Sequence, residues 1–367
     1  MIKVLHVIRN MGQGGTEKFL INVLKNMKNE SITHIIASYG DISEWEKDLK
    51  KWKIKVVKLD EPNEVGIIEN IKQLYRVMKS EKVNVVHAYT YYNSAFVMLA
   101  AFLSKVKVRI THSHRTNSNN NNSIVNKIYK EISKLLINIF SNIYLACSKE
   151  AGESLFYRYK KVEIINNGID IEKFRYNKEI RDRRRKEFDI LDECVVIGNV
   201  GRLDNNKNQS FLIDIFKEYC NYNQQSKLIL IGIGENEKSL KLKAQEAKID
   251  NKIMFLGNRS DVNEIYNMMD LFILTSFSEG LPFVLIEAQT NGLKCIVSDN
   301  VSKSSNITNS IKFESINKSA SEWVDIIKHT NFTREDNIEK ILKSGYNIKD
   351  TVKQLEEIYI YNSRGNV

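Results

Sequence analysis

The sequence predicts an α/β protein with two domains in tandem, each built on a parallel sheet. Three observations lead there. The chain has 367 residues, enough for two domains of roughly 150 residues each. Short runs rich in Val and Ile alternate with helical stretches, as βαβ units require. The alternation also breaks once, near Ile164–Asp170, and then restarts.

In the first half, strands are predicted at residues 3–8, 33–38, 55–59, 83–88, 108–112 and 143–147. They show little polar alternation, which is how strands buried on both faces read. Helices are expected between them, for example at 17–27 and 67–80. The join falls at Asn166-Asn167-Gly168-Ile169-Asp170, where a strand ends in a polar turn. The first domain is therefore set at 1–168 and the second at 169–348. In the second, a charged helix at 181–188 precedes strands at 194–200, 227–231, 252–256, 271–275, 294–298 and 311–313. A last helix is expected at 351–361, with Asp350 as its N-cap.

Hydrophobic residues make up 42% of the chain, sufficient for two cores. No run of 18 apolar residues exists, so no membrane-spanning helix is expected. The N-terminus reads as a strand and not as a signal peptide. Cys147, Cys194, Cys220 and Cys295 form no C-x-x-C pair. They are expected as buried thiols in a cytoplasmic protein, with neither disulfide nor metal.

The net charge is +10, and the first 170 residues hold all of it: 26 Lys+Arg against 16 Asp+Glu, with 29 of each in the remainder. The first half should face something anionic, such as a membrane surface or a phosphate-bearing acceptor, unless the charge serves solubility alone. Nucleic acid is disfavoured, because the basic residues are not interleaved with stacking aromatics. The Asn-rich stretch 116–123 reads as a mobile loop. After it, Val125, Ile128, Tyr129, Ile132, Leu135, Leu136 and Ile139 share one helical face, with Lys127, Lys130 and Lys134 off it. That face packs on its own sheet or lies on a membrane surface.

Ligands in open α/β sheets bind beyond the carboxyl ends of the strands, and several residues fall there. Gly12-Gln13-Gly14-Gly15-Thr16-Glu17 follows the first strand and opens a helix. A dinucleotide fingerprint would need a third glycine at position 17, so the turn suits phosphate better than NAD. Thr111-His112-Ser113-His114-Arg115 ends another strand, with His87 as a possible neighbour. Two close histidines suit proton transfer better than a metal, for which further ligands are missing. Gly201-Arg202, with Lys207-Asn208, can neutralise a diphosphate. Gly232-Ile233-Gly234 and Gly257-Asn258-Arg259 mark tight turns on the same edge. Last comes Glu279-Gly280-Leu281-Pro282-Phe283 with Glu287. Pro282 suits the first position of a helix. The helix start would offer amides to a phosphate, and the two carboxylates would accept from polyol hydroxyls.

Taken in order, Gly14-Gly15-Thr16-Glu17, Asn167-Gly168-Ile169-Asp170 with Phe174, Gly201-Arg202 with Lys207-Asn208, and Glu279-x7-Glu287 resemble the retaining GT-B glycosyltransferases of family 4. The resemblance is to the branch of bacterial capsular and exopolysaccharide assembly, and it covers nearly the whole chain. It implies two Rossmann-like domains facing a central cleft, with residues 349–367 crossing back to the first. The N-terminal domain would bind the acceptor and the C-terminal domain the nucleotide-sugar, UDP- or GDP-linked. Arg202 and Lys207 would contact the donor diphosphate, and Gly14 and Gly15 would close over it. Glu287 would bind the ribose. Glu279 would sit near the transferred sugar, and the backbone of Gly280, Leu281, Pro282 and Phe283 would help to hold sugar and phosphate. The backbone at Asn258 and Arg259 would lie near the base, and His112 or His114 beside the reacting carbon.

The chain has no Asp-x-Asp, so no metal or other cofactor is expected; cations and a helix start would stabilise the departing nucleoside diphosphate. The implied acceptor is a saccharide on polyprenyl diphosphate, met at the inner face of the cell membrane. The rival readings are a nucleotide-sugar epimerase or hydrolase of similar two-domain fold, and a non-catalytic saccharide- or nucleotide-binding protein.

Overall fold

The computed structural model describes residues 1–12, 14–115, 123–157 and 161–364. The chain divides into two units: residues 1–168 together with 348–367, and residues 169–347. The 116–122 part of the Asn-rich stretch, and Gln13 of the first glycine turn, lie outside the described residues.

The N-terminal unit carries seven strands: β1 (Ile2–Ile8), β2 (Ile32–Ser38), β3 (Lys55–Lys58), β4 (Val85–Ala88), β5 (Val108–Ser113), β6 (Ile143–Ala146) and β7 (Val162–Ile164). They pair in the order β3-β2-β1-β4-β5-β6-β7, all parallel. All four residues of β4 are buried, because helices cover both faces of the sheet. One face packs Leu5, Val7, Val86 and Ala88 against Leu74, Met78, Val97 and Ala101. His6 lies beside His87 in the β1–β4 register, on the alternate face.

The last helix, Ile348–Ser363, belongs to this unit and packs on the helix Gly15–Asn26 and on β1 and β5. It is longer than the predicted 351–361. Ile348, Val352, Leu355 and Tyr359 are all buried, so the apolar stripe begins before Asp350. Asp350 therefore sits in the first turn and not at the cap.

The C-terminal unit carries β8 (Val195–Val200), β9 (Ser226–Ile231), β10 (Ile253–Phe255), β11 (Leu271–Leu274), β12 (Lys294–Ser298) and β13 (Ile311–Glu314). The order is β10-β9-β8-β11-β12-β13, again all parallel. Ile197, Leu228, Leu230 and Ile273 face Phe216 and Trp323 on one side. Val196, Ile229, Phe272 and Leu274 face Tyr266 and Leu285 on the other.

The charged helix spans Lys178–Glu187, earlier than predicted, because the Asn177 side chain caps it. Arg185 explains how so polar a helix docks. Its guanidinium is 1% exposed; it donates to the carbonyls of Met268, Leu191, Asp192 and Cys194 and pairs with Asp270 at 2.6 Å. A buried charge needs such complete pairing. All four cysteines are free and buried. No described helix is long and apolar enough to cross a membrane.

The helix Ile124–Phe140 resolves the open question about its apolar face. Only Ser133 and Ile137 are buried. Ile128, Ile132, Leu135 and Ile139 are each at least half exposed. The reading in which that face packs on its own sheet is corrected in part: Tyr129 and Leu136 join Ser133 and Ile137 against the unit, and the rest of the face stays exposed.

Candidate active site

Each sheet has one point where the strand order turns from descending to ascending, and crevices for ligands open there. In the C-terminal unit that point lies between β8 and β11. The segments leaving those two strands are Gly201–Asn208 and Thr275–Pro282, so the topology brings together two motifs 70 residues apart in sequence.

The β8 segment is held on both sides. Toward β9, Leu203 N–H donates to Ile233 O and Asn236 N–H to Leu203 O, both at 3.0 Å. Toward β11, Phe277 N–H donates to Asn206 O at 2.8 Å, and Asn206 Nδ2 to Ser278 O at 2.9 Å. The two β9 glycines follow from this crowding. A methyl on Gly232 (φ +136°) would lie 2.0 Å from Gly201 O, and one on Gly234 would lie 2.2 Å from Leu203 O. Backbone stands in the way at both, so only glycine fits.

Asp204 organises the cations. One of its oxygens accepts the Lys207 N–H at 3.0 Å, starting a short 3-10 turn, and the other pairs with Arg202 Nε at 2.6 Å. Arg202 is otherwise well exposed, while Lys207 is mostly covered and pairs with Glu279 at 2.6 Å. Both cations thus have carboxylate partners. Glu279 is where the β11 segment meets the β8 segment.

Pro282 takes the cap position and not the first helical one. Its ψ of 127° is extended, and the helix runs Phe283–Thr290. Every residue of this helix is buried, so Glu287 is not a solvated surface glutamate. It is 8% exposed and accepts a hydrogen bond from Tyr266 Oη at 3.0 Å. Burial, with Glu287 alongside, pushes the Tyr266 phenol well above its usual pKa, so it remains a donor. Sequence reasoning missed Tyr266, which sits inside an apolar pattern and gives no signal.

Asn258 and Arg259 follow β10, the edge strand two places from β8. Gly232 N–H donates to Gly257 O at 2.8 Å, linking this turn to the β9 turn. The Arg259 side chain is engaged by Asp261 through two contacts of 2.8 and 2.7 Å.

In the N-terminal unit the order turns between β1 and β4. Gly14 precedes the helix Gly15–Asn26 with extended backbone. A methyl there would lie 2.2 Å from the Glu17 carboxylate, which folds back over the helix start. His112 is the next-to-last residue of β5, 1% exposed, with its ring 4.0 Å from that of His114.

A chain of rings runs behind His112. His87 Nε2 lies 3.1 Å from His112 Nδ1, and His87 Nδ1 lies 2.7 Å from Tyr359 Oη and 3.0 Å from Tyr89 Oη. Tyr89 Oη reaches His6 Nδ1 at 3.2 Å, and His6 Nε2 reaches His34 Nδ1 at 3.0 Å. Burial holds His6, His87 and His112 well below the ordinary imidazole pKa. It lowers His34 to about 4 and His114 to about 3. All five are neutral at pH 7, each with one donor and one acceptor nitrogen. In an assignment that gives every contact a proton, Tyr359 and Tyr89 donate to His87 Nδ1, His87 to His112, His6 to Tyr89, and His34 to His6. His112 Nε2 then carries a proton and has no partner among the described residues. No group of three or more His, Cys, Asp or Glu among those residues could hold a metal ion.

Two parallel sheets with polar motifs gathered where their strand orders turn define a ligand-binding α/β protein, and comparison with known proteins narrows it. The N-terminal unit matches the model described as Glycosyltransferase Family 4 over residues 13–173, and the C-terminal unit the model Glycosyl transferases group 1 over residues 180–349. The chain is a glycosyltransferase of GT-B fold. It is 26% identical to the capsular polysaccharide biosynthesis glycosyltransferase CapH of Staphylococcus aureus, over 98% of this chain and 99% of that one. It is 27% identical, over 81% of each chain, to the UDP-Gal:alpha-D-GlcNAc-diphosphoundecaprenol alpha-1,3-galactosyltransferase of Escherichia coli. The crystal structure of Anabaena HepE in complex with UDP shares the fold at a TM-score of 0.81 and 19% identity, covering 98% of this chain and 100% of that one.

Proposed function

We propose that the protein transfers a sugar, with retention of anomeric configuration and without a divalent metal, from a UDP-sugar to a saccharide on polyprenyl diphosphate in cell-surface polysaccharide assembly. The observation that carries the reading is the Lys207–Glu279 pair, held where the β8 and β11 segments meet. A diphosphate arriving there competes with Glu279 for the ammonium. Lys207 and Arg202 then take the phosphate oxygens, and Glu279 is released to accept from hydroxyls of the transferred sugar. As the glycosidic bond breaks, charge builds on the leaving UDP, and these two cations stabilise it more in the transition state than in the bound donor.

Glu287, fixed by Tyr266, accepts from the ribose hydroxyls. The amides of Gly280, Leu281 and Phe283 and the Pro282 turn complete the sugar and phosphate contacts; Gly14 and Gly15 add a second set of amides. The base lies against the backbone at Asn258 and Arg259. His112, with His114 beside it, donates Nε2–H toward the reacting sugar. The E. coli relative's named acceptor and the UDP in the Anabaena structure support the choice of substrates. The basic N-terminal half would meet the anionic inner face of the membrane, where such an acceptor resides.

The test is UDP release from UDP-glucose, UDP-galactose and their N-acetyl forms, with a polyprenyl-diphosphate-linked N-acetylhexosamine and EDTA present. Acceptor-dependent release that survives EDTA, with an α-linked product by NMR, is expected. Release with donor alone would favour the hydrolase or epimerase reading, and no release with any donor would remove the enzyme assignment of these residues.

A further inference from the structure

We propose that the helix Ile124–Phe140 is an in-plane membrane helix whose apolar stripe inserts into the headgroup–acyl boundary of an anionic lipid surface. The proposal rests on the membrane-linked acceptor above, and it replaces a purely electrostatic contact with an inserted one.

Ile124, Val125, Ile128, Ile132, Leu135 and Ile139 are 74, 73, 55, 51, 50 and 57% exposed. At 100° per residue they fill one arc of about 100°. The opposite edge, Ser133 and Ile137, is what the unit buries. The helix thus lies flat on the protein with its largest aliphatic side chains turned outward. Soluble proteins rarely leave so continuous an apolar row uncovered.

Two features choose lipid as the occupant. The first is charge: Lys127, Lys130 and Lys134 lie on one flank of the helix, with the single acid Glu131 between them and the stripe, within the half of the chain that holds the whole positive excess. Lysines beside an apolar stripe suit anionic headgroups above an acyl layer. The second is continuity. Phe140 packs on Phe102 with ring centres 5.1 Å apart. Phe102 and Leu103 are each 51% exposed, and exposed Lys105 and Lys107 follow. Exposed apolar and basic side chains thus also stand next to the end of the helix Ile124–Phe140, at the close of the helix Ser94–Leu103 and just after it. Arg109 closes the far end by donating to Phe140 O at 2.6 Å, which satisfies one of the open carbonyls of the last helical turn.

Vesicle co-sedimentation separates the possibilities. Wild-type protein should bind phosphatidylglycerol-containing vesicles and keep a substantial fraction of that binding in 0.5 M NaCl, because inserted apolar area is not screened by salt. The I128E/I132E variant should partition at least about tenfold more weakly while keeping wild-type circular dichroism and UDP-induced thermal stabilisation. K127E/K130E/K134E should lose mainly the salt-sensitive part. Wild-type-like binding by I128E/I132E, or binding abolished by salt alone, would overturn insertion. So would a wild-type dimer that I128E/I132E converts to monomer, which would make the stripe an interface between copies. Failure of the transferase reading looks different: no UDP-dependent stabilisation, with vesicle binding intact.

Discussion

Taking the protein from pH 6.5 to pH 5 should remove roughly 4 kcal/mol or more from the stability of the N-terminal unit. Five of the six histidines sit in that unit, on or beside β1, β2, β4 and β5. Each has a folded pKa below the unfolded value near 6.5. Below pH 6.5 the unfolded chain therefore binds protons that the folded chain refuses, so stability is full above that value and falls as pH falls. Each such group contributes about 1.4 kcal/mol per pH unit. His34, lowered to about 4, and His114, lowered to about 3, alone give about 2 kcal/mol each at pH 5. His6, His87 and His112 add to the loss. In the same unit Asp41 is held below the usual carboxylate range and titrates at lower pH, while Glu163, raised by burial and by Glu357, takes up its proton earlier and opposes the loss. Urea unfolding between pH 5 and 8 measures the slope, with Trp45 and Trp52 reporting the N-terminal unit. His34→Gln should reduce the slope by about one proton. A loss below about 1.4 kcal/mol between pH 6.5 and 5, fewer than one proton, would refute the account, as would an unchanged slope in the variant.

Two further outcomes follow from the C-terminal sheet. Lys207→Ala should lower kcat/KM for UDP-sugar about 10²–10³-fold, and the K207A/E279Q double variant should lose less than the product of the single losses, since one partner's removal strands the other; UDP-release kinetics on the four proteins give the coupling. Gly232→Ala forces a methyl onto Gly201 O at φ +136°, so it should cost about 2–4 kcal/mol and displace the Arg202 turn, seen as a lower melting temperature and a smaller UDP-induced shift.

The sheets were legible because buried parallel strands carry a local signature. All twelve predicted strands are present, with ends shifted by at most two residues. The neighbourhood of Glu279 and Lys207 was legible only as motifs; their ion pair depends on β8 lying beside β11, a sheet order no local pattern encodes. Tyr266 and Tyr359 were invisible for a related reason. Each contributes one hydroxyl from an otherwise apolar helix face, and nothing local names its distant partner. The helix Ile124–Phe140 shows a different limit. Periodicity reveals which residues share a face but not which face points inward, and here the unit buries the poorer one.

The assignment of Ile348–Ser363 to the N-terminal unit has a consequence for how the chain is made. The C-terminal unit is one uninterrupted segment, so all of its contacts are available once residue 347 has left the ribosome. The N-terminal unit, although synthesised first, gains its last helix, with the Tyr359 hydroxyl on His87, only at the end of synthesis. A nascent chain stalled before residue 348 would leave His87 without that partner.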